Sequence, residues 1–167
     1  MTDLVVTAPD TAWWGERRFR CAIGRGGFSG RKREGDGATP VGTWPMRRLL
    51  WRADRLPAPT TGLPASPIGR EDGWCDDPLH PDYNRPIRLP FAASHEKLWR
   101  RDRVYDLIVP LGYNDAPIEP GRGSAIFLHV ARRGFSPTEG CVALRRADLL
   151  ELLAGADTSS HVIIDPR

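Results

Sequence analysis

The sequence predicts a mainly β domain with one short helix. Glycine (17) and proline (16) are dense in a chain of 167 residues, which favours strands joined by many turns over a helix bundle. Alternating apolar residues at 17–23 and 124–131 show the two-residue period of strands. Residues 145–154 carry the spacing of an amphipathic helix. Residues 3–7 and 17–23 read as an opening hairpin, with Phe19, Cys21 and Ile23 on one side and Arg18 and Arg20 on the other. Residues 24–44 are a long glycine-rich turn. Gly24-Arg25-Gly26 does not make a dinucleotide loop, because Ser29 holds the third glycine position and no apolar helix follows. A phosphate-binding loop fails as well, since Gly30 is followed by Arg31.

A strand is expected near Gly42–Leu50. Residues 52–96 are proline-rich and irregular, and so long a loop is often functional. Residues 97–103 suggest a helical turn, and 104–113 a strand. The best-patterned strand is 124–131, with Ile126, Leu128 and Val130 on one face and Phe127, His129 and Ala131 on the other. Residues 145–154 form a helix expected to bury Leu149, Leu150 and Leu153 and to stop at Gly155. Residues 161–164 make a final strand. Without repeats or linkers, residues 1–167 read as one domain.

Composition excludes several functions. No apolar run approaches the roughly 20 residues of a membrane span, and the first 25 residues lack the apolar core of a signal peptide. The net charge is +3, with 24 Lys+Arg against 21 Asp+Glu. No basic run exceeds three residues and no finger spacing occurs, so nucleic acid is set aside as a partner. All cations but Lys32 and Lys97 are arginines, which suit carboxylates or phosphates. Cys21, Cys75 and Cys141 form no CxxC pair. Cys75, Asp76, Asp77, His80 and Asp82 include zinc-type ligands, but their spacing matches no metal motif. No metal or cofactor is expected. Cys21 and Cys75 read as structural thiols that would be able to pair in an oxidising compartment.

The chemistry lies in residues 127–153. His129 ends a strand, and Cys141 follows a tight turn just ahead of the helix. A loop of this length can fold back to bring imidazole and thiol together, which favours the nucleophilic thiolate. Gly140 leaves the Gly140 and Cys141 amides open as a candidate oxyanion hole.

The run His129…Thr138-Glu139-Gly140-Cys141-Val142, followed by a leucine-rich helix, resembles the signature of the L,D-transpeptidase (YkuD-like) catalytic-domain family, in a compact proteobacterial branch. Lys32-Arg33-Glu34-Gly35-Asp36 with Thr39-Pro40-Val41-Gly42-Thr43-Trp44 is similar to that family's element ahead of an early strand. Tyr105-Asp106 and Gly112-Tyr113-Asn114 are similar to its strand before the histidine. The matches run from about Lys32 to Leu153.

The resemblance implies a β-sandwich with a short helix after the catalytic cysteine. It implies a peptidoglycan L,D-transpeptidase making 1,3- or 3,3-type cross-links: Cys141 as nucleophile, a thioester acyl-enzyme, and release of D-alanine protonated by His129. A backbone carbonyl near His129, with that of Val130 the candidate, would orient the ring. The partners implied are peptidoglycan stem peptides, a donor tetrapeptide and an acceptor amine, and the substrate places the protein in the periplasm. The alternatives are an L,D-carboxypeptidase or endopeptidase on the same site, or a non-catalytic wall-binding domain.

Two departures stand out. Glu139 replaces a histidine common in the family and is expected to point away from the thiol, since a carboxylate beside it would oppose ionisation. Ala143 replaces an arginine. Arg132, Arg133, Arg145 and Arg146 are candidates to supply the missing carboxylate grip. Tyr83, Asn84 and Thr138 are further substrate-binding candidates, the first two as part of a lid.

Overall fold

The computed structural model describes residues 2–167. Fifteen strands and one helix follow one another along the chain. β1 (Leu4–Thr7), β2 (Thr11–Trp14) and β3 (Arg17–Ala22) form an antiparallel meander. β4 (Phe28–Ser29) and β5 (Thr39–Pro40) pair with each other within the glycine-rich turn. β6 (Gly42–Pro45), β7 (Leu49–Trp51) and β8 (Ala65–Pro67) precede a small sheet of β9 (Asp72–Cys75), β10 (Pro86–Arg88) and β11 (His95–Lys97). β12 (Leu107–Pro110), β13 (Phe127–Val130) and β14 (Val142–Leu144) lead into α1 (Arg146–Gly155), and β15 (His161–Ile164) closes the chain.

Ten strands make one sheet in the order β6-β15-β1-β2-β3-β14-β13-β12-β7-β8. β6 and β7 stand eight places apart in it, about 38 Å if the sheet were flat. Only Met46–Arg48 joins them, a link reaching at most about 15 Å. The sheet therefore curls until its two ends meet, giving the sandwich expected. Met46 sits at the junction: its amide donates to the Ser160 carbonyl at 2.9 Å, and it bridges to Leu111. This crossing splits the single strand expected over 42–50.

The curl encloses the main core, which includes Leu4, Val6, Leu128, Val130, Leu144, Val162 and, from the helix, Leu149, Leu152 and Leu153. The helical spacing is i, i+3, i+4 from Leu149. Leu150 turns off that face and is only half-buried, so Leu152 takes the place expected of it.

A second cluster lies on the outer face of β12 and β13, beneath the small sheet. It contains Trp74, Leu98, Val104, Tyr105, Ile108, Phe127 and Cys141. β12 and β13 are thus buried on both faces, which makes them apolar throughout. The two faces read from the alternation in 124–131 are these two clusters.

Three further expectations change. β2 inserts between the two strands of the opening hairpin. The segment 52–96 is ordered by β8–β11, whose strands are too short to show a period. Residues 97–103 form no helical turn, because the chain continues from β11 through bends. Among the described residues, no helix is long and apolar enough to cross a membrane.

Candidate active site

β13 and β14 run parallel, with Leu128 beside Val142 and His129 beside Ala143. The two-residue period then puts Phe127, His129, Cys141 and Ala143 on one face, toward the second cluster. His129 and Cys141 line the same cavity, of about 190 Å³, with Glu96, Arg100, Val104, Tyr105 and Arg132.

The His129 ring is fixed from below. Its Nδ1 donates to the Val130 carbonyl at 2.9 Å. A carbonyl can only accept, so in the neutral ring the proton sits on Nδ1 and Nε2 carries the lone pair. Tyr105 packs edge-on against the ring, 5.4 Å between centroids. Burial lowers the His129 pKa to about 4, against the Val130 contact that favours the charged form.

The thiol rests elsewhere. Cys141 Sγ donates to the Ala125 carbonyl at 3.2 Å and accepts from the Phe127 amide at 3.3 Å. No hydrogen bond joins it to the imidazole, so the ionised pair expected from the sequence is not the resting state. Burial pushes the thiol up to about 12, and the charge of Glu96 adds to the effect. Burial thus disfavours the charged form of each group in the resting geometry.

The cysteine turn is braced from the early glycine-rich segment. The Thr138 hydroxyl donates to the Cys141 carbonyl at 2.6 Å and accepts from the Gly140 amide at 3.1 Å. Thr39 Oγ1 donates to the Gly140 carbonyl at 2.9 Å and accepts from the Gly24 amide at 2.8 Å. Asp36 holds the preceding loop by accepting from Lys32 Nζ at 2.6 Å and from the Arg33 and Ala38 amides. The two sequence elements singled out above are therefore one structural unit. Gly140 has φ +134°, and a Cβ there would meet the Ala38 carbonyl oxygen at 2.7 Å. Only glycine fits this position.

The sequence-based candidates sort plainly. Glu139 borders the cavity, but its exposed carboxylate is tied to Arg25 at 2.9 Å, and its charge is not among those that shift Cys141. Arg132 lines the cavity; Arg133, Arg145 and Arg146 line a neighbouring one. Thr138 borders the cavity, and in the resting geometry its hydroxyl is engaged within the turn. The Gly140 amide, offered above as an oxyanion donor, is turned to that hydroxyl in the resting geometry.

Tyr83 and Asn84 form no lid. Both are buried, at 2% and 6% exposure, away from the cavity. Asn84 Oδ1 accepts from Trp74 Nε1 and the Ala125 amide, and its Nδ2 donates to the Tyr113 and Asn114 carbonyls. The Tyr83 hydroxyl donates to Glu34 at 2.7 Å and accepts from the Gly123 amide. They pin the small sheet to the segment that holds the thiol.

Around Cys75 the polar groups are used locally. Asp76 accepts from Ser94, Asp77 from the Leu79 amide, and His80 Nδ1 from the Asp82 amide. Among the described residues no group of three His, Cys, Asp or Glu is placed to hold a metal. Cys21 and Cys75 are buried free thiols in different parts of the fold.

Sequence reasoning missed Glu96. It enters from β11, within a polar run His95-Glu96-Lys97 that carries no pattern, so no local signal marked it. Its carboxylate accepts from the Tyr105 hydroxyl. Burial raises its pKa, while that hydrogen bond pulls the other way. The cavity thus combines a thiol, a neutral imidazole with a free Nε2, a buried carboxyl and a guanidinium, a set suited to nucleophilic acyl transfer.

A family model, YkuD, described as an L,D-transpeptidase catalytic domain, matches residues 5–164. No curated protein and no solved structure matches the chain.

Proposed function

Since this chain belongs to the YkuD L,D-transpeptidase catalytic-domain family, whose members are cysteine-dependent enzymes of peptidoglycan, we propose that it transfers stem-peptide acyl groups through a thioester on Cys141. The observation that carries this reading is one cavity holding both the Cys141 thiol and a His129 ring whose Nδ1 is committed to the Val130 carbonyl. A binding module has no need of that tautomer control.

The chemistry follows from the resting geometry. When a donor tetrapeptide enters, Sγ leaves the Ala125 carbonyl and turns toward Nε2, which takes its proton. The thiolate attacks the carbonyl carbon of the residue preceding the terminal D-alanine. The Cys141 amide, joined by the Gly140 amide once it leaves Thr138, donates to the tetrahedral oxyanion. Loss of one such donor typically costs about 10²–10³-fold in rate. The C–N bond then breaks, His129 returns the proton to the leaving amine, and D-alanine departs.

An acceptor amine attacks the thioester and gives the cross-link. The ion pair that burial suppresses at rest forms only with substrate present, which protects the enzyme from idle thiol chemistry. These steps call on no cofactor. The substrate places the enzyme outside the cytoplasmic membrane, in the periplasm.

Incubation with purified tetrapeptide muropeptides, read by mass spectrometry, tests the proposal. Cross-linked dimers support transpeptidation, and their masses and fragments fix the acceptor. Tripeptide monomers alone replace it with the carboxypeptidase reading. Unchanged substrate leaves a wall-binding domain.

A further inference from the structure

The catalytic cavity does not end at Arg132. A second cavity, about 690 Å³, shares Val104 and Arg132 with it as a common wall. Its floor is apolar, from Val104, Val130 and Phe135, and its rim carries five arginines. The one acidic wall residue, Asp102, is already engaged: Arg100 grips it at 2.8 and 2.6 Å, and Arg132 stands 3.5 Å away. Arg145 is held by Asp148 at 2.9 Å. Among the described residues, Arg103, Arg133 and Arg146 have no ion-pair partner. Three uncompensated guanidiniums around one concavity repel one another, and a bound anion relieves that repulsion. The floor suits methyl groups between the charged ends of such a ligand.

The loop that carries Arg132 and Arg133 is held in shape. Phe135 adopts φ +57°, its amide donates to the Arg132 carbonyl at 2.9 Å, and the Arg20 guanidinium lies 4.6 Å from its ring centroid. The backbone that carries Arg132 and Arg133 is therefore preorganised.

We propose that this arginine cavity is the subsite for the acyl acceptor, a peptide amine bearing carboxylates and short apolar side chains. The inference rests on the acyl-transfer reading above and deepens it. A ligand anchored there extends past Val104 and Arg132 to present its amine to the thioester. The new C–N bond forms as the C–S bond breaks, and the amine's proton returns to sulfur by way of His129. Water needs no such anchor, so the cavity sets how the thioester divides between transfer and hydrolysis.

Two measurements on an Arg133→Gln/Arg146→Gln double variant test this. In the muropeptide reaction, the ratio of dimer to tripeptide falls about tenfold, the size expected on losing two solvent-accessible ion-pair contacts. In a calorimetric titration of Cys141→Ala protein with free stem tripeptide, the double variant weakens binding by about the same factor. A ratio that stays constant while both products decline assigns the cavity to the donor and overturns the proposal. So does tripeptide binding that ignores both arginines. Failure of the wild-type enzyme to acylate would refute the transfer reading, whereas the tripeptide titration still decides the subsite.

Discussion

Residue by residue, the site is governed by desolvation. Cys141 and His129 would each be charged only at high cost in their resting surroundings, and Glu96 adds a carboxyl that opposes the thiolate. This leads to a test at one atom. In the wild type, iodoacetamide alkylation of Cys141 should be slow at neutral pH and rise only in strongly alkaline solution. Glu96→Gln removes the opposing charge but keeps an acceptor for the Tyr105 hydroxyl. It should move the alkylation profile to lower pH and speed labelling several-fold at pH 9, followed by intact mass. An unmoved profile would remove Glu96 from the electrostatics of the thiol. At this scale short local patterns singled out Cys141, His129 and Gly140, which the fold brings to one loop and strand, while the Val130 carbonyl came only from the family resemblance. It was silent on Glu96, which reaches the site only through the pairing of β11 with β9.

At the level of elements, the small β9–β11 sheet has a defined task. It covers the outer face of β13 and, through Asn84, fixes Ala125, whose carbonyl holds the thiol. Asn84 has φ +56°, a conformation that asparagine tolerates better than most residues. Replacing Asn84 by Ala strips four hydrogen bonds and leaves Trp74 Nε1 and the Ala125 amide unpaired. We expect a loss of about 2–4 kcal/mol, measured by urea denaturation, and a fall in turnover greater than the loss of folded protein explains. Undiminished stability would mean the sheet is not pinned there.

This sheet was the least legible part of the chain. Three-residue strands such as Pro86–Arg88 and His95–Lys97 are too short to display alternation, and proline-rich connections hide them. By contrast, β13 was legible on both faces because each face packs against a separate core. The helix was placed well, but its buried face was misread at Leu150, since Leu149, Leu150, Leu152 and Leu153 crowd into little more than one turn.

For the whole molecule, the curled sheet and the buried histidine tie stability to pH. An unfolded histidine titrates near 6.5, whereas His129 in the fold is lowered to about 4. Between these values the unfolded chain binds the extra proton. His129 therefore contributes its full share of stability above pH 6.5 and loses it as pH falls toward 4, a drop of roughly 3 kcal/mol over that window. Unfolding free energies at pH 7 and pH 4.5 should differ accordingly, and His129→Asn should flatten this part of the profile. The same slope in both proteins would locate the effect elsewhere. The fold class itself was readable from turn density and strand periodicity. The sheet's closure was not, since it depends on the three-residue link Met46–Arg48 carrying the chain between strands that lie eight places apart.

In the proposed reaction Cys141 carries the acyl group. Intact mass spectrometry of the protein after brief mixing with a tetrapeptide donor tests it most directly. A tripeptidyl adduct is expected on Cys141, formed with one equivalent of D-alanine and absent from Cys141→Ala. D-alanine release that persists in Cys141→Ala, or a wild-type protein that never gains mass under conditions of turnover, would contradict it.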